Sequence, residues 1–439
     1  MKEKGAYRRS FRVAASLLAV LLLSGCSATV GNDVESLLRA PRLSGETGAV
    51  QKALNSYLGS TATMKYPASG DFLSPFLFGD WDGDGTQEAA VLYTEEAAGQ
   101  NTCLAILEPT SGGWQVTQTT EGLSNEVESV TYAHLWDTDS LQILVGYSSA
   151  QGDHYLVVYQ YSDGTLRDII RQNYTDMILA DITGRNENGI QDLILALPTE
   201  TENGGVNLQL LTNTGGEFHS AQTLAVGAGV FNGCAALHAG TNTDGSPYLV
   251  VDAWNGTSGN SLASAIIVYD EQSGFLQTYT PAGIADIYRA TLRDASLFSV
   301  DLDGNGTIDI PTEIDDGGTI QTPMDKQLQF LLWKDFDSGT GGTTHFGIYD
   351  SEYRFFLALP ESMHGSVLLR SNWEDDGWMI CNAEGTTVYC ELRVVDPSED
   401  STQYHRLATI GSQQLQVRLF TDYYGLGLEE IQNGITLLE

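Results

Sequence analysis

The 439-residue sequence predicts a mainly β protein: a β-propeller of five or six four-stranded antiparallel blades, with seven as the upper limit, followed by a small α+β domain. Three observations predict it. An Asp/Asn-Gly loop recurs ahead of short apolar runs, a second glycine turn recurs in register with that loop, and the 11 prolines are too few to interrupt many strands. A single four-stranded sheet cannot bury both of its faces. Copies must therefore stack, and a propeller is the usual closed solution.

The N-terminus comes first. Lys2, Lys4, Arg8, Arg9 and Arg12 precede an apolar stretch from Val13 to Leu23. A bilayer span takes about 20 apolar residues, so this stretch fits the core of an export signal instead. Leu23-Ser24-Gly25-Cys26 resembles a bacterial lipobox. The resemblance implies cleavage before Cys26, a lipid on its sulfur, and a chain anchored to the outer face of the cytoplasmic membrane. Removing residues 1–25 takes away five of 21 basic and one of 57 acidic residues, so the formal charge moves from −36 to −40. Such a surface repels nucleic acid and anionic lipid, which leaves the lipid anchor as the membrane contact. Residues 26–70 read as the lipidated cysteine, a linker and a short helix, Thr47 to Leu58, with Ala49, Leu54 and Leu58 on one side.

Two loops share one design. Asp80, Asp82, Asp84 and Glu88 stand at positions 1, 3, 5 and 9 of the first, and Asp301, Asp303, Asn305 and Asp309 at those of the second. Glycine (Gly85, Gly306) holds position 6, and the position-7 carbonyls of Thr86 and Thr307 add a further oxygen. Oxygen donors at that spacing suit a hard cation such as Ca²⁺, and the glycine permits the sharp turn. The match to an EF-hand ends at position 12, where Val91 and Thr312 replace the bidentate glutamate. Ala89-Ala90-Val91-Leu92-Tyr93 then reads as a buried strand, not a helix. Three weaker echoes follow at 136–140, 181–192 and 240–245; in the second, Asn186, Asn188 and Asp192 are the candidate ligands. The loops at 137 and 240 read as plain turns.

The second landmark is a hairpin turn: Ser111-Gly-Gly113, Ser162-Asp-Gly164, Thr214-Gly-Gly216, Gln272-Ser-Gly274 and Asp337-Ser-Gly339. Strand-like runs precede each one: Cys103–Leu107, Tyr155–Tyr159, Leu208–Leu211, Ala265–Tyr269 and Gln329–Trp333. Each unit reads as loop, strand, strand, turn, strand, strand.

The Asp-x-Asp-x-Asp/Asn-Gly-x-x-Asp/Glu loop, entered from Pro75-Phe-Leu-Phe78 and from Leu297-Phe-Ser-Val300, resembles the FG-GAP/VCBS family of integrin-α-like propellers. The resemblance covers roughly residues 70–350 and is specific at the two full loops. It implies about two structural Ca²⁺ ions, each clipping a loop at a blade rim. Residues 71–349 are accordingly expected to form the propeller and 350–439 the appended domain. That domain contains strands at Val367–Leu369, Trp378–Cys381 and Val388–Val395, a late helix near Ser401–Ile410, and β-like runs around Leu415–Phe420 and Ile435–Leu438. The Leu-Pro-Glu-Ser segment at 359–362 resembles modules appended to clostridial-type lipoproteins.

Cys103 and Cys234 sit in apolar runs and read as free thiols. Cys381 and Cys390 flank a hairpin. A turn centred on Gly385-Thr386 places the sulfurs across from each other, while one centred on Glu384-Gly385 places Cys381 opposite Val388 and forbids the disulfide.

No Gly-x-Ser-x-Gly, His-Glu-x-x-His, Gly-x-x-x-x-Gly-Lys or Cys-x-x-Cys motif occurs. The seven histidines (His134, His154, His219, His238, His345, His364, His405) are scattered singly. Trp81, Trp136 and Trp254 beside glycine turns are either sugar-stacking platforms or inter-sheet packing, packing being the commoner role. The expected function is non-catalytic: a cell-surface lipoprotein holding out a calcium-stabilised propeller that binds an extracellular protein or polysaccharide. The alternatives are a carbohydrate-active hydrolase or lyase using channel carboxylates, or a structural accessory of a cell-envelope complex.

Overall fold

The computed structural model describes residues 45–95, 101–184, 189–199, 204–214, 217–256, 259–321, 328–336, 344–372, 377–399, 402–420 and 426–438. The export signal and Cys26 lie outside the described residues. The chain divides into two compact units, residues 1–49 and 50–439.

Unit 50–439 is built from antiparallel sheets laid down in chain order. Sheet A comprises Phe76–Gly79, Glu88–Thr94, Cys103–Thr110 and Gly113–Glu121, with Thr63–Met64 beside the second strand. Sheet B comprises Glu126–Ala133, Gln142–Ser148, His154–Ser162 and Thr165–Tyr174. Sheet C comprises Asp176–Ala180, Asp192–Leu197, Val206–Thr214 and Glu217–Val226. Sheet D comprises Phe231–Thr241, Pro247–Asn255, Ser261–Asp270 and Phe275–Tyr279, with Arg293–Asp294 added to its third strand. In all four the strand order equals the chain order, as hairpins joined by short turns require.

The repeat is thus present, but its phase is one strand off the sequence reading. The Asp/Asn-Gly loops join the first and second strands of each sheet, and the glycine hairpins join the third and fourth. The last strand of each sequence unit, Glu126–Ala133 for instance, therefore opens the next sheet. Residues Asp163 and Gly164 show why the hairpin turns need their composition: both have positive φ, 51° and 67°, matching the twist of the flanking strands.

Consecutive sheets pack face to face. Leu92, Leu104 and Ile106 of sheet A meet Val145, Val157 and Tyr159 of sheet B. Leu144 and Val158 of B meet Leu193, Leu195 and Leu211 of C, and Ile194 and Leu208 of C meet Leu249, Val251 and Ala265 of D. The second strands are buried on both faces, which explains why they read as continuous apolar runs such as Leu193–Leu197. The outer face of sheet A is covered by helix α1 (Gly45–Leu58) through Val50 and Leu54. Among the described residues, no hydrophobic cluster joins sheet A to the last sheet.

The C-terminal part differs from expectation. Sheet E contains Asp309–Glu313, Leu328–Asp335, Thr344–Asp350, Phe355–Ala358 and Ile435–Leu437. The expected boundary at 349/350 falls inside one of its strands. Sheet F runs Gly318–Gln321, Val367–Asn372, Gly377–Asn382, Val388–Val395, Gln413–Leu419 and His405–Ile410, and its first strand pairs parallel with the second. Phe330, Phe346 and Leu357 of E share one core with Leu369, Ile380 and Val417 of F.

The helix expected near Ser401–Ile410 is instead the edge strand His405–Ile410, paired with Gln413–Leu419 across a turn at Gly411. Backbone pairing with the neighbouring strand overrides the local helical pattern there. The 381–390 hairpin takes the register that forbids the bridge. Cys381 lies opposite Val388 and Cys390 opposite Ile380, and both thiols are free. Cys103 and Cys234 are free as expected, half-buried rather than fully so.

Candidate metal sites

Glu88 opens the second strand of sheet A opposite Gly79, so residues 80–87 must reverse the chain in a tight loop. Gly83 and Gly85 take φ of 79° and 85°, a region costly for any residue with a Cβ. The aspartates organise the turn. Asp80 Oδ1 accepts the N–H of Gly83 and Asp84 at 2.8 and 3.1 Å, and its Oδ2 accepts that of Gly85 at 2.9 Å. Asp82 accepts from Asp84 N–H, and Asp84 from Thr86 N–H. Glu88 reaches back to accept the N–H of Trp81 at 2.8 Å.

The result is a cluster in which one carboxylate oxygen from each of Asp80, Asp82, Asp84 and Glu88 lies within 4.8 Å of the others. At an effective dielectric constant of about 20, two ionised carboxylates 4.8 Å apart repel by about 3.5 kcal/mol, and less where exposed Asp84 is one of them. Glu88 is 2 % exposed, and burial, with the charges of Asp82, Asp80 and Asp84 behind it, pushes its carboxyl up to about 7. Burial also raises Asp82. A divalent cation at the focus would reverse both penalties, and the all-oxygen donor set fits Ca²⁺.

The loop from Asp301 to Asp309 repeats this hydrogen-bond pattern. Asp301 accepts from the N–H of Gly304, Asn305 and Gly306, Asp303 from that of Asn305, and Asn305 Oδ1 from that of Thr307. Asp309 accepts from Leu302 N–H at 3.0 Å. Its converging group differs: Asp303, Asp309 and His345 bring ligand atoms within 4.8 Å, and Asp301 is outside it. Asp309 is 0 % exposed, and burial pushes its carboxyl up to about 6. His345 comes from the third of the long strands of sheet E, opposite Trp333. Sequence reasoning missed it, because 36 residues separate it from Asp309 and only the strand register brings them together.

The third loop holds no described cluster. Asp192 is fully buried, and its carboxylate is engaged by Thr183 N–H and the Thr212 hydroxyl. Asn186 and Asn188 lie outside the described residues. Asp137 caps the amides of Asp139 and Ser140, and Asp244 that of Ser246, so both are Asx-type turns as expected.

One device unites the loops. The side chain that opens the strand after the loop accepts a main-chain N–H from the loop start: Glu88 from Trp81, Gln142 from Leu135 and Trp136, Asp192 from Thr183, Asp309 from Leu302. Loops also tie sheet to sheet, through Leu141 N–H to Asp80 O, Gln191 N–H to His134 O and Thr241 N–H to Gly306 O.

Trp81 is fully buried and packs edge-on against Tyr132, so it is inter-sheet packing; Trp136 and Trp254 are half-buried. A cavity of about 490 Å³ is lined by first strands of sheets B and C, where Asp71, Glu128, His154, Tyr174 and Asp176 contribute polar groups. A buried network missed in the sequence joins Asp252 to Arg293 at 2.7 Å, with Ser264 and Ser299 bonded to the same carboxylate. Burial pushes Asp252 up, but Arg293 and His238 outweigh it and hold the carboxyl well below its usual range.

No family model matches the chain, and no curated protein matches it. Among solved structures the chain is similar to an exotype rhamnogalacturonan lyase, YesX, at 12 % identity and a TM-score of 0.28. The match covers 72 % of this chain and 60 % of that one, less than two thirds of its length. A TM-score of 0.28 does not establish a common fold. No helix among the described residues is long and apolar enough to cross a membrane.

Proposed function

We propose that this chain is an exported, lipid-anchored binding protein, non-catalytic, whose sheets form a propeller-type ring of the FG-GAP/VCBS kind with divalent cations in the loops at 80–88 and 301–309, Ca²⁺ in the first. The observation that carries the proposal is the convergence of Asp80, Asp82, Asp84 and Glu88, with Glu88 buried among like charges. A protein that met no cation would gain by losing one of those carboxylates. The strand order supports the ring: the segment at Ala68–Ser69 bonds the first strand of sheet B, and Asp176 on the first strand of C bonds Leu237 on that of D. The first strand of B thus meets the segment ahead of sheet A, and the first strands of C and D meet each other, an arrangement compatible with a central channel.

The cavity between first strands of B and C is the candidate binding face for an extracellular polysaccharide or protein, since ligand sites favour concave surfaces. The carboxylates there, Asp71, Glu128 and Asp176, also suit the hydrolase or lyase alternative. Incubating the full chain with anionic and neutral cell-wall polysaccharides separates the two. Retention of a polymer without new chain ends, weakened about tenfold or more by Glu128→Gln, is the expected result. New reducing or unsaturated ends that vanish in Asp71→Asn or Asp176→Asn would make it an enzyme.

A further inference from the structure

We propose that Asp303, Asp309 and His345 form a mixed nitrogen–oxygen site selective for a first-row divalent transition metal, while the all-oxygen loop at Asp80 takes Ca²⁺. The proposal rests on the reading that these loops hold cations, and it assigns the two loops different ones.

Three observations carry it. The donor sets differ in chemistry: four carboxylates in the first loop, two carboxylates and an imidazole in the second. Ca²⁺ is bound by oxygen, whereas imidazole suits Zn²⁺, Fe²⁺, Ni²⁺ and Cu²⁺. Second, Asp309 is fully buried and its Oδ1 has no hydrogen-bond partner, although its Oδ2 is taken by Leu302 N–H. Third, His345 Nε2 is itself buried without a hydrogen bond, 3.4 Å from Asp303 Oδ2. Buried polar atoms are seldom left unpaired in folded proteins. Two such atoms pointing at one focus beside the second carboxylate, that of Asp303, are satisfied together by one ion, with the imidazole neutral and its Nε2 lone pair directed inward.

The strand register explains how the nitrogen arrives only here. Asp309 pairs with Asp335, and two residues back along that strand Trp333 pairs with His345. In sheet A the comparable stretch places Ile106 opposite Gln118, with Thr117 in the adjoining bulge, so no imidazole faces Glu88. Asn305, the one amide in the second loop's ladder, further lowers its charge relative to the first. Fewer anionic oxygens and one nitrogen together disfavour Ca²⁺ and favour a smaller ion with fewer ligands.

The test strips the purified full chain of metal, adds Zn²⁺ or Co²⁺ in the presence of about a hundredfold excess of Ca²⁺, and measures metal retained after desalting and the visible Co²⁺ spectrum. Wild type should retain about one equivalent and show the spectrum of nitrogen-bound Co²⁺. His345→Ala should weaken that binding by more than about a hundredfold, beyond what loss of an outer-shell group costs, and Asp80→Ala should leave it unchanged. Should His345→Ala fold poorly, His345→Gln is measured in the same way. Retention equal in wild type and in the His345 variant would overturn the proposal. So would no retention in a wild-type chain that Ca²⁺ still stabilises, since an imidazolium ion pair would then fill the site while the calcium reading stands. If neither ion binds, both readings fall.

Discussion

Burial raises the carboxyls of Glu88 and Asp309 to about 7 and about 6, even though each also accepts a main-chain N–H that holds its loop closed. Their folded values lie above the ordinary 4.5 and 3.8, so the metal-free fold takes up protons on folding between those limits. Stability from these groups therefore rises as pH falls from about 8 towards about 5, and is lost as pH rises. A bound cation needs the ionised form and opposes the trend, so the rise in Tm caused by Ca²⁺ should shrink over the same window. Glu88→Gln keeps an acceptor for Trp81 N–H and removes the charge. At pH 8 in chelator it should melt no lower than wild type, and in Ca²⁺ it should melt lower; calorimetry of both proteins in both buffers checks the change of sign. Equal melting differences in the two buffers would remove Glu88 from any metal site. At this scale the sequence was legible where ligands are neighbours, as in Asp80–Glu88. It was blind to His345 and to the Asp252–Arg293 pair, because pairing register and burial, not spacing, bring those groups together.

Among elements, each loop-strand-strand-turn repeat was visible because Asp/Asn-Gly loops and glycine hairpins demand particular residues at particular places. What the pattern does not encode is which strands hydrogen-bond. A strand such as Glu126–Ala133 follows sheet A in the chain yet pairs in sheet B, and alternation alone cannot separate the two outcomes. The same limit applies to His405–Ile410, which has no strand identity until Gln413–Leu419 lies beside it. Within sheet D the buried ion pair joins Asp252 to Arg293 on the added strand, and Ser299, in the segment leading into sheet E, bonds the same carboxylate. Arg293→Met would leave Asp252 buried without its counter-charge, and a loss of roughly 3–5 kcal/mol is expected. Urea unfolding measures it. Converting Asp252→Leu in the same chain should recover part of the loss, whereas strictly additive losses would mean that the pair is not coupled.

At the scale of the whole molecule, the chain carries a formal −36, and repulsion among exposed carboxylates opposes compaction. The hydrophobic contacts run from each sheet to the next, and loops at Asp80, His134 and Gly306 add hydrogen bonds along the same path. In the proposed function, divalent ions in the loops at 80–88 and 301–309 would offset charge beside these contacts. The direct measurement is the melting temperature of the full chain in about 2 mM Ca²⁺ and in excess chelator. With a dissociation constant near about 20 μM, an occupied loop contributes about 2.7 kcal/mol. Melting should rise by several degrees in Ca²⁺, and Asp80→Ala should remove most of that rise. Identical melting in calcium and chelator would mean that the aspartate ladders are metal-free turns, and would contradict the account at its centre.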